Sequence, residues 1–353
     1  MGNVSVLGID LAKASFQLHG IDERGKRVVG KTLKRHQLEA FVANLAPCTI
    51  AVEACGSAHW WAGRLAQYGH NVKLIAPQYV KPFVKGNKND RADAEAIAEA
   101  ASRPSMRFVP VKTSAHLDLQ AIHRVRSRLV AQRTALTNEM RGILFEQGVV
   151  VAQGIETLRV LVVSLLRGGC NEEITPMCKE TIADLLAELG DLEERIAMAE
   201  RRLEMHARDS DVVQRLMTVP GVGLITATAM VAAVPDPHSF SNGRQFAAWL
   251  GLVPRHTGTG GADKNRLGRI SKRGDRYLRC LLVHGARAVL LHVDKRTDRY
   301  GRWAAQLKAA KGWNKAAVAM ANKNARIIWA LLAGEGRFEV NFQPARAVSG
   351  QPA

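Results

Sequence analysis

No pair of cysteines in this 353-residue sequence has the CxxC spacing of a zinc ribbon. The five that are present, Cys48, Cys55, Cys170, Cys178 and Cys280, are odd in number and scattered, as expected of reduced thiols in a cytoplasm. Cys48 and Cys55 flank a predicted strand, where packing is their expected role. Long apolar runs are missing too. The most apolar stretches, 160–166, 224–234 and 288–291, fall short of the roughly 20 residues that cross a bilayer, so no membrane role is expected. The opening Met1-Gly2-Asn3-Val4 has no basic stretch leading into an apolar run and a cleavage site, so no secretory leader is expected.

Apolar residues make up 47% of the chain, enough for a true core and too many for wholesale disorder. Acid is in short supply: 32 Asp and Glu stand against 50 Lys and Arg, a formal net charge of +18. The excess is uneven. Residues 1–105 carry +5, residues 106–205 carry −1 and residues 206–353 carry +14. A chain this basic usually meets a polyanion, and its C-terminal part is the expected footprint for nucleic acid. A merely solvated basic surface is the bland alternative.

The first hundred residues alternate strand-like and helix-like segments. Residues 4–9 read as a buried strand ending in Asp10, 15–19 as a second strand before a turn at 22–25, and 27–33 as a third. Helical spacing over 36–45, a strand over 49–53, a helix over 58–68 and a strand over 71–75 complete the order of a ribonuclease-H-like α/β domain. Residues 114–147 predict one long helix, with Ile122, Leu129, Leu136 and Ile143 seven apart. Residues 181–205 carry a second heptad seam through Leu185, Leu189, Leu192, Ile196, Ala199 and Leu203. Two readings stand equally: an antiparallel coiled-coil arm or dimer contact, and two helices packed within one chain. Residues 150–176 show no clear period. Residues 212–335 read as helical except for a break at 252–272, and the Pro-, Ala-, Ser- and Gly-rich end from Phe342 reads as frayed. The expected division is 1–112, 113–208, 209–340 and a tail at 341–353.

Four acids stand out. Asp10 and Glu53 each close an apolar strand, and in this fold those strands are neighbours, so the two carboxylates converge. Asp90 and Asp93, three apart, share a face if a helix starts there. Carboxylates gathered in one pocket repel one another unless cations neutralise them. Their hard oxygens favour Mg²⁺ or Mn²⁺, a pair of which would clamp the attacking and leaving oxygens of a phosphodiester. Taken singly, Asp10 could be a turn residue and Asp90 a helix cap. Glu53, an acid ending a buried strand, demands a partner.

In the basic C-terminal part, Val219-Pro220-Gly221-Val222-Gly223 between two helical runs has the form of a helix-hairpin-helix turn, whose N–H groups bind phosphate. An ordinary connecting turn would need fewer glycines. Further on, Thr257-Gly258-Thr259-Gly260-Gly261 is bracketed by Arg255, Lys264, Arg266, Arg269, Lys272 and Arg273. A glycine-rich loop with hydroxyls among guanidiniums suits a phosphate being attacked or held. Grip on backbone phosphates alone is the simpler alternative.

These residues together resemble the IS-one-ten family of insertion-sequence transposases, closest to its one-one-one-one subgroup. The resemblance rests on Gly8-Ile9-Asp10-Leu11-Ala12-Lys13, Val52-Glu53-Ala54-Cys55-Gly56, Lys88-Asn89-Asp90-Arg91-Ala92-Asp93-Ala94, Pro220-Gly221-Val222-Gly223, residues 244–254 and residues 267–275. It spans residues 3–335. It implies a RuvC-like DEDD domain, a coiled-coil region and a C-terminal transposase domain with a helix-hairpin-helix. It also implies recombination guided by an element-encoded RNA, assembly as a homo-oligomer (dimer or tetramer), and a bacterial, cytoplasmic, nucleoid-associated protein acting on element ends and target DNA. Asp10, Glu53, Asp90 and Asp93 fall on the family's four metal-binding acids. The family's nucleophilic serine stands just before two glycines, and here that position is Thr259, before Gly260 and Gly261. Threonine keeps the hydroxyl but adds a methyl that restricts χ1. Ser271 is a nearby, weaker substitute. Gly221, Gly223, Arg255, Lys264, Arg266, Lys272 and Arg273 are the expected nucleic-acid contacts. A RuvC-like junction nuclease using water, and a non-catalytic nucleic-acid scaffold, are the competing readings.

Overall fold

The computed structural model describes residues 3–84, 90–168, 174–257 and 266–341. It forms two compact units, one of Met1–Leu117 with Val234–Ser241, the other of Asp118–Ala233 with Asn242–Ala353.

In the first unit, strands β1 (Val6–Leu11), β2 (Ser15–Ile21), β3 (Arg27–Lys34), β4 (Thr49–Glu53), β5 (Asn71–Ile75) and β6 (Phe108–Val109) form one sheet in the order β3-β2-β1-β4-β5-β6. The hairpin turn is set locally: Asp22 Oδ1 accepts the N–H groups of Arg24 and Lys26, and Gly25 takes φ +77°. β1 runs antiparallel to β2 and parallel to β4, β4 is parallel to β5, and β6 closes the edge antiparallel. This is the expected α/β arrangement, an antiparallel hairpin leading into parallel strands. Helices α1 (Leu38–Ala43), α2 (Ala58–Ala66), α3 (Pro77–Val80) and α4 (Asp90–Ala101) complete it.

The two sheet faces are chemically different because side chains alternate. Leu7, Ile9, Phe16, Leu18, Ile50, Val52 and Leu74 point to one face and pack on Leu38, Val42, Trp61 and Leu65 of α1 and α2. Phe16 meets Trp61 edge to face, centroids 5.2 Å apart. On the other face Ala51 and Ile75 pack against Ala96, Ile97 and Ala100 of α4. Gly8 lets α4 come down onto the backbone of β1: a Cβ there would lie 2.7 Å from the Ala98 nitrogen.

The second unit holds α5 (Ser114–Glu146), α6 (Ile155–Leu166), α7 (Pro176–Arg208), α8 (Asp211–Met217), α9 (Leu224–Ala233), α10 (Gly243–Trp249), α11 (Arg276–Leu291), α12 (Arg299–Lys311) and α13 (Trp313–Ala333). α5 and α7, 33 residues each, share one apolar cluster within the chain, through Leu129, Leu136, Met140 and Leu144 on one and Ile182, Leu189, Leu192 and Ile196 on the other. Arg126 near the start of α5 pairs with Glu200 near the end of α7 at 2.6 Å, so the helices run antiparallel. The stretch without a clear period contains α6, whose Leu158, Val162 and Leu165 join that cluster. Thr175 caps α7 by accepting from Cys178 N, with Pro176 in the first turn. The break at 252–272 contains an antiparallel pair, β7 (Pro254–Thr257) and β8 (Arg266–Ile270). No helix among the described residues is long and apolar enough to cross a membrane. Residues 342–353, most of the expected tail, lie outside the described residues.

Candidate active site and nucleic-acid surface

Asp10 follows Ile9, and Glu53 follows Val52, its register partner across the parallel β1–β4 pair. By alternation Asp10 shares the face of Gly8, and Glu53 the face of Ala51, the face that α4 covers. Both acids are half-buried at the C-terminal ends of adjacent strands. Cys55, two residues past Glu53, feels both: burial pushes its thiol pKa up, and the carboxylates of Glu53 and then Asp10 push it further the same way. Both acids are therefore near enough to this thiol to act on it. Sequence reasoning gave Cys55 only a packing role.

Asp93 is half-buried, in the turn of α4 just before Ala94, and α4 rests on Gly8 of β1 through Ala94 and Ala98. Glu95 acts electrostatically on His19 of β2, where burial lowers the imidazole pKa, Glu95 opposes, and Arg27 lowers it again. The start of α4 thus sits over β1 and β2. Asp90 opens α4, and its side chain lies outside the described residues. Among the described residues no three His, Cys, Asp or Glu side chains are grouped so as to hold a metal ion. The structure brings Asp10 and Glu53 together and sets Asp93 on the covering helix.

In the second unit, Thr259, Gly260, Gly261 and Lys264 lie outside the described residues, as does the side chain of Arg266, which opens β8. Arg255 is exposed on β7 and donates from Nη2 to the Ser271 carbonyl at 3.1 Å. Ser271 Oγ accepts from the Arg273 N–H at 3.5 Å. Lys272 adopts φ +54°, and its N–H donates to the Gly251 carbonyl at 3.1 Å. Lys272 and Arg273 are exposed just beyond the strand pair. Arg279 behaves otherwise: its Nη1 donates to the carbonyls of Leu250 and Arg273, at 3.0 and 3.3 Å, clasping the base of the hairpin.

The glycines of the α8–α9 turn divide their work. Gly221 has φ +84° and packs against α11, where a Cβ would come 2.7 Å from the Gly285 oxygen. Pro220 O accepts from Asn324 Nδ2 at 2.9 Å, tying the same turn to α13. Gly223 is exposed, has open space around it, and accepts the Ala227 N–H at 2.9 Å as α9 begins. Gly223 is therefore the member of the pair placed to meet a ligand.

Residues 7–147 match the DEDD-type IS110 transposase model, and residues 213–302 match the model described as Transposase IS116/IS110/IS902 family. A "Probable family 20 transposase" of Pseudomonas aeruginosa is 52% identical, covering 94% of this chain and 98% of that protein. The "Transposase for insertion sequence element IS1111A" of Coxiella burnetii is 46% identical over 94% of this chain and 90% of its own length. The corresponding IS1328 transposase of Yersinia enterocolitica is 42% identical over 93% and 97%. Identity this high along nearly the whole of both chains, with the two models falling on the carboxylate-bearing sheet and on the helices around the basic hairpin, shows that the chain belongs to the IS110 family of insertion-sequence DNA transposases.

Proposed function

We propose that this transposase cuts and rejoins DNA with Asp10, Glu53, Asp90 and Asp93 as its metal-holding acids and Thr259 as its nucleophile. The observation that carries the reading is the placement of Asp10 and Glu53 on one face at the ends of adjacent parallel strands, both acting on Cys55. Two such carboxylates fit a hard divalent cation, Mg²⁺ or Mn²⁺, because their repulsion is relieved by it. Bound there, the cation would neutralise charge on a scissile phosphate.

The chain's own part is to place a hydroxyl against that phosphate. Thr259 Oγ1 forms a bond to phosphorus as a bridging P–O bond breaks, and the departing sugar oxygen takes up a proton. The phosphothreonine ester conserves the bond for rejoining. Acids and nucleophile act from one chain or from different subunits of a homo-oligomer. Arg255, Lys264, Arg266, Lys272, Arg273 and the Gly221–Gly223 turn hold backbone phosphates. An element-encoded guide RNA supplies sequence choice by base pairing, in the bacterial cytoplasm. The deciding experiment traps a covalent protein–DNA adduct and maps it. An adduct on Thr259, lost in Thr259→Ala, supports the reading. Cleavage without any adduct moves the chain to the water-using alternative.

A further inference from the structure

The second unit carries an open cleft of about 470 Å³ between α5, α9 and the start of α11, apart from every residue assigned above. One wall is a stripe of α5 with Arg124, Ser127 and Arg128 exposed on it. Spacings of three and four put these on one helix face. Ala229 and Ala232 of α9 and Tyr277 of α11 also line it.

A buried brace sets the width. His123 is only 4% exposed, with Nδ1 3.0 Å from Tyr277 Oη and Nε2 3.1 Å from Thr228 Oγ1. The Thr228 hydroxyl donates to the Leu224 carbonyl at 2.7 Å. It therefore accepts from Nε2–H, and Nδ1 accepts from Tyr277 O–H. Burial, and secondarily Arg126, lower the His123 pKa to about 4. The brace is neutral at neutral pH and joins three helices through hydrogen bonds and the edge contact of the His123 and Tyr277 rings, centroids 5.8 Å apart.

Asp275, the carboxylate among the described lining residues, is engaged: its Oδ1 accepts the N–H groups of Tyr277 and Leu278, capping α11. Arg128 donates to Gln132 at 2.7 Å on its own helix. Two exposed guanidiniums thus stand one turn apart, about 6 Å along the axis, with a hydroxyl between them. The α9 residues of the lining, Ala229, Ala232 and Ala233, add only methyl groups. The cleft is open rather than enclosed, which suits a passing strand better than a small captured anion.

We propose that this cleft holds a nucleic-acid strand by its sugar–phosphate backbone, with Arg124 and Arg128 on successive phosphates. The choice of polyanion rests on the transposase reading. Contacts of this kind position a strand without reading its bases, so the grip is independent of sequence.

The test uses the full chain and oligonucleotides of one sequence, offered as single-stranded DNA, duplex DNA and RNA. For the strand that occupies the cleft, R124A/R128A lowers affinity at least about tenfold and lowers the slope of log affinity against log salt by roughly 1.5–2. R124K/R128K keeps most of the slope. The arm that responds names the strand. A second readout does not depend on the alanine variant folding: the thiol of Ser127→Cys is alkylated in the free chain and shielded when the bound strand is present. Unchanged slopes in all three arms for a folded double variant, or an introduced thiol equally reactive with and without bound strand, overturn the proposal. A wild-type chain that binds none of the three overturns the proposed assignment of its basic surface to nucleic acid, which separates the two failures.

Discussion

Gly221 in the α8–α9 turn and Gly285 in α11 face each other so closely that neither has room for a side chain: a Cβ on Gly221 would lie 2.7 Å from the Gly285 oxygen. The contact is backbone on backbone, so no rotamer change relieves an added methyl. Gly285→Ala is expected to cost about 2–3 kcal/mol of stability, read by urea denaturation. Gly223→Ala, with open space at the same turn, should stay within about 1 kcal/mol. Equal losses at both glycines would mean that the turn, and not its packing on α11, sets the requirement.

Asp10→Asn and Glu53→Gln should each lower strand cleavage at least about 100-fold while leaving DNA affinity within about twofold. A divalent cation should raise the melting temperature of the wild-type chain through preferential binding to the folded state, and the rise should shrink in either variant. Retention of cleavage in Asp10→Asn would remove the carboxylate edge from the chemistry.

Thr259→Ser should form the covalent adduct at least as fast as wild type, because it keeps the hydroxyl and removes the methyl that limits χ1. Thr259→Ala should form none. Gel mobility of denatured protein–DNA mixtures, followed by peptide mapping, reads both. An adduct mapped to Ser271 in all three proteins would relocate the nucleophile.

His123 gives a pH signature with a definite sign. Its folded pKa, about 4, lies below the ordinary 6.5, so the unfolded chain takes up the proton first as pH falls. Stability is full above about pH 6.5 and declines from there to about pH 4, by on the order of 3 kcal/mol. His123→Gln should remove that share of the slope, leaving smaller parts from His19 and His59, whose pKa values are also lowered chiefly by burial. Identical pH profiles for wild type and variant would show that His123 ionises freely in the folded chain.

What the sequence revealed follows what each signal depends on. β4 and β5 carry the bounds expected because each is a short, mostly apolar run closed by a charge or a proline. Asp10 and Glu53 were legible for the same reason. α6 was not, since its twelve residues hold barely three turns of pattern, and β7–β8 was not, since its strands are rich in charge. Gly8 gives no sign in sequence of the helix that covers it, because its partner Ala98 is ninety positions on. The His123–Tyr277 pair, 154 residues apart, is invisible to any periodicity.

The clasp formed by Arg279 bears on how firmly the chain can grip a polyanion. Its guanidinium is committed to carbonyls at the hairpin base, as Arg126 is to Glu200 and Arg215 to Asp211. Such cations anchor the fold and cannot displace counterions from a nucleic acid. The number of phosphates this transposase can hold is thus smaller than its 50 Lys and Arg suggest, and salt titration should count only the guanidiniums left facing outward.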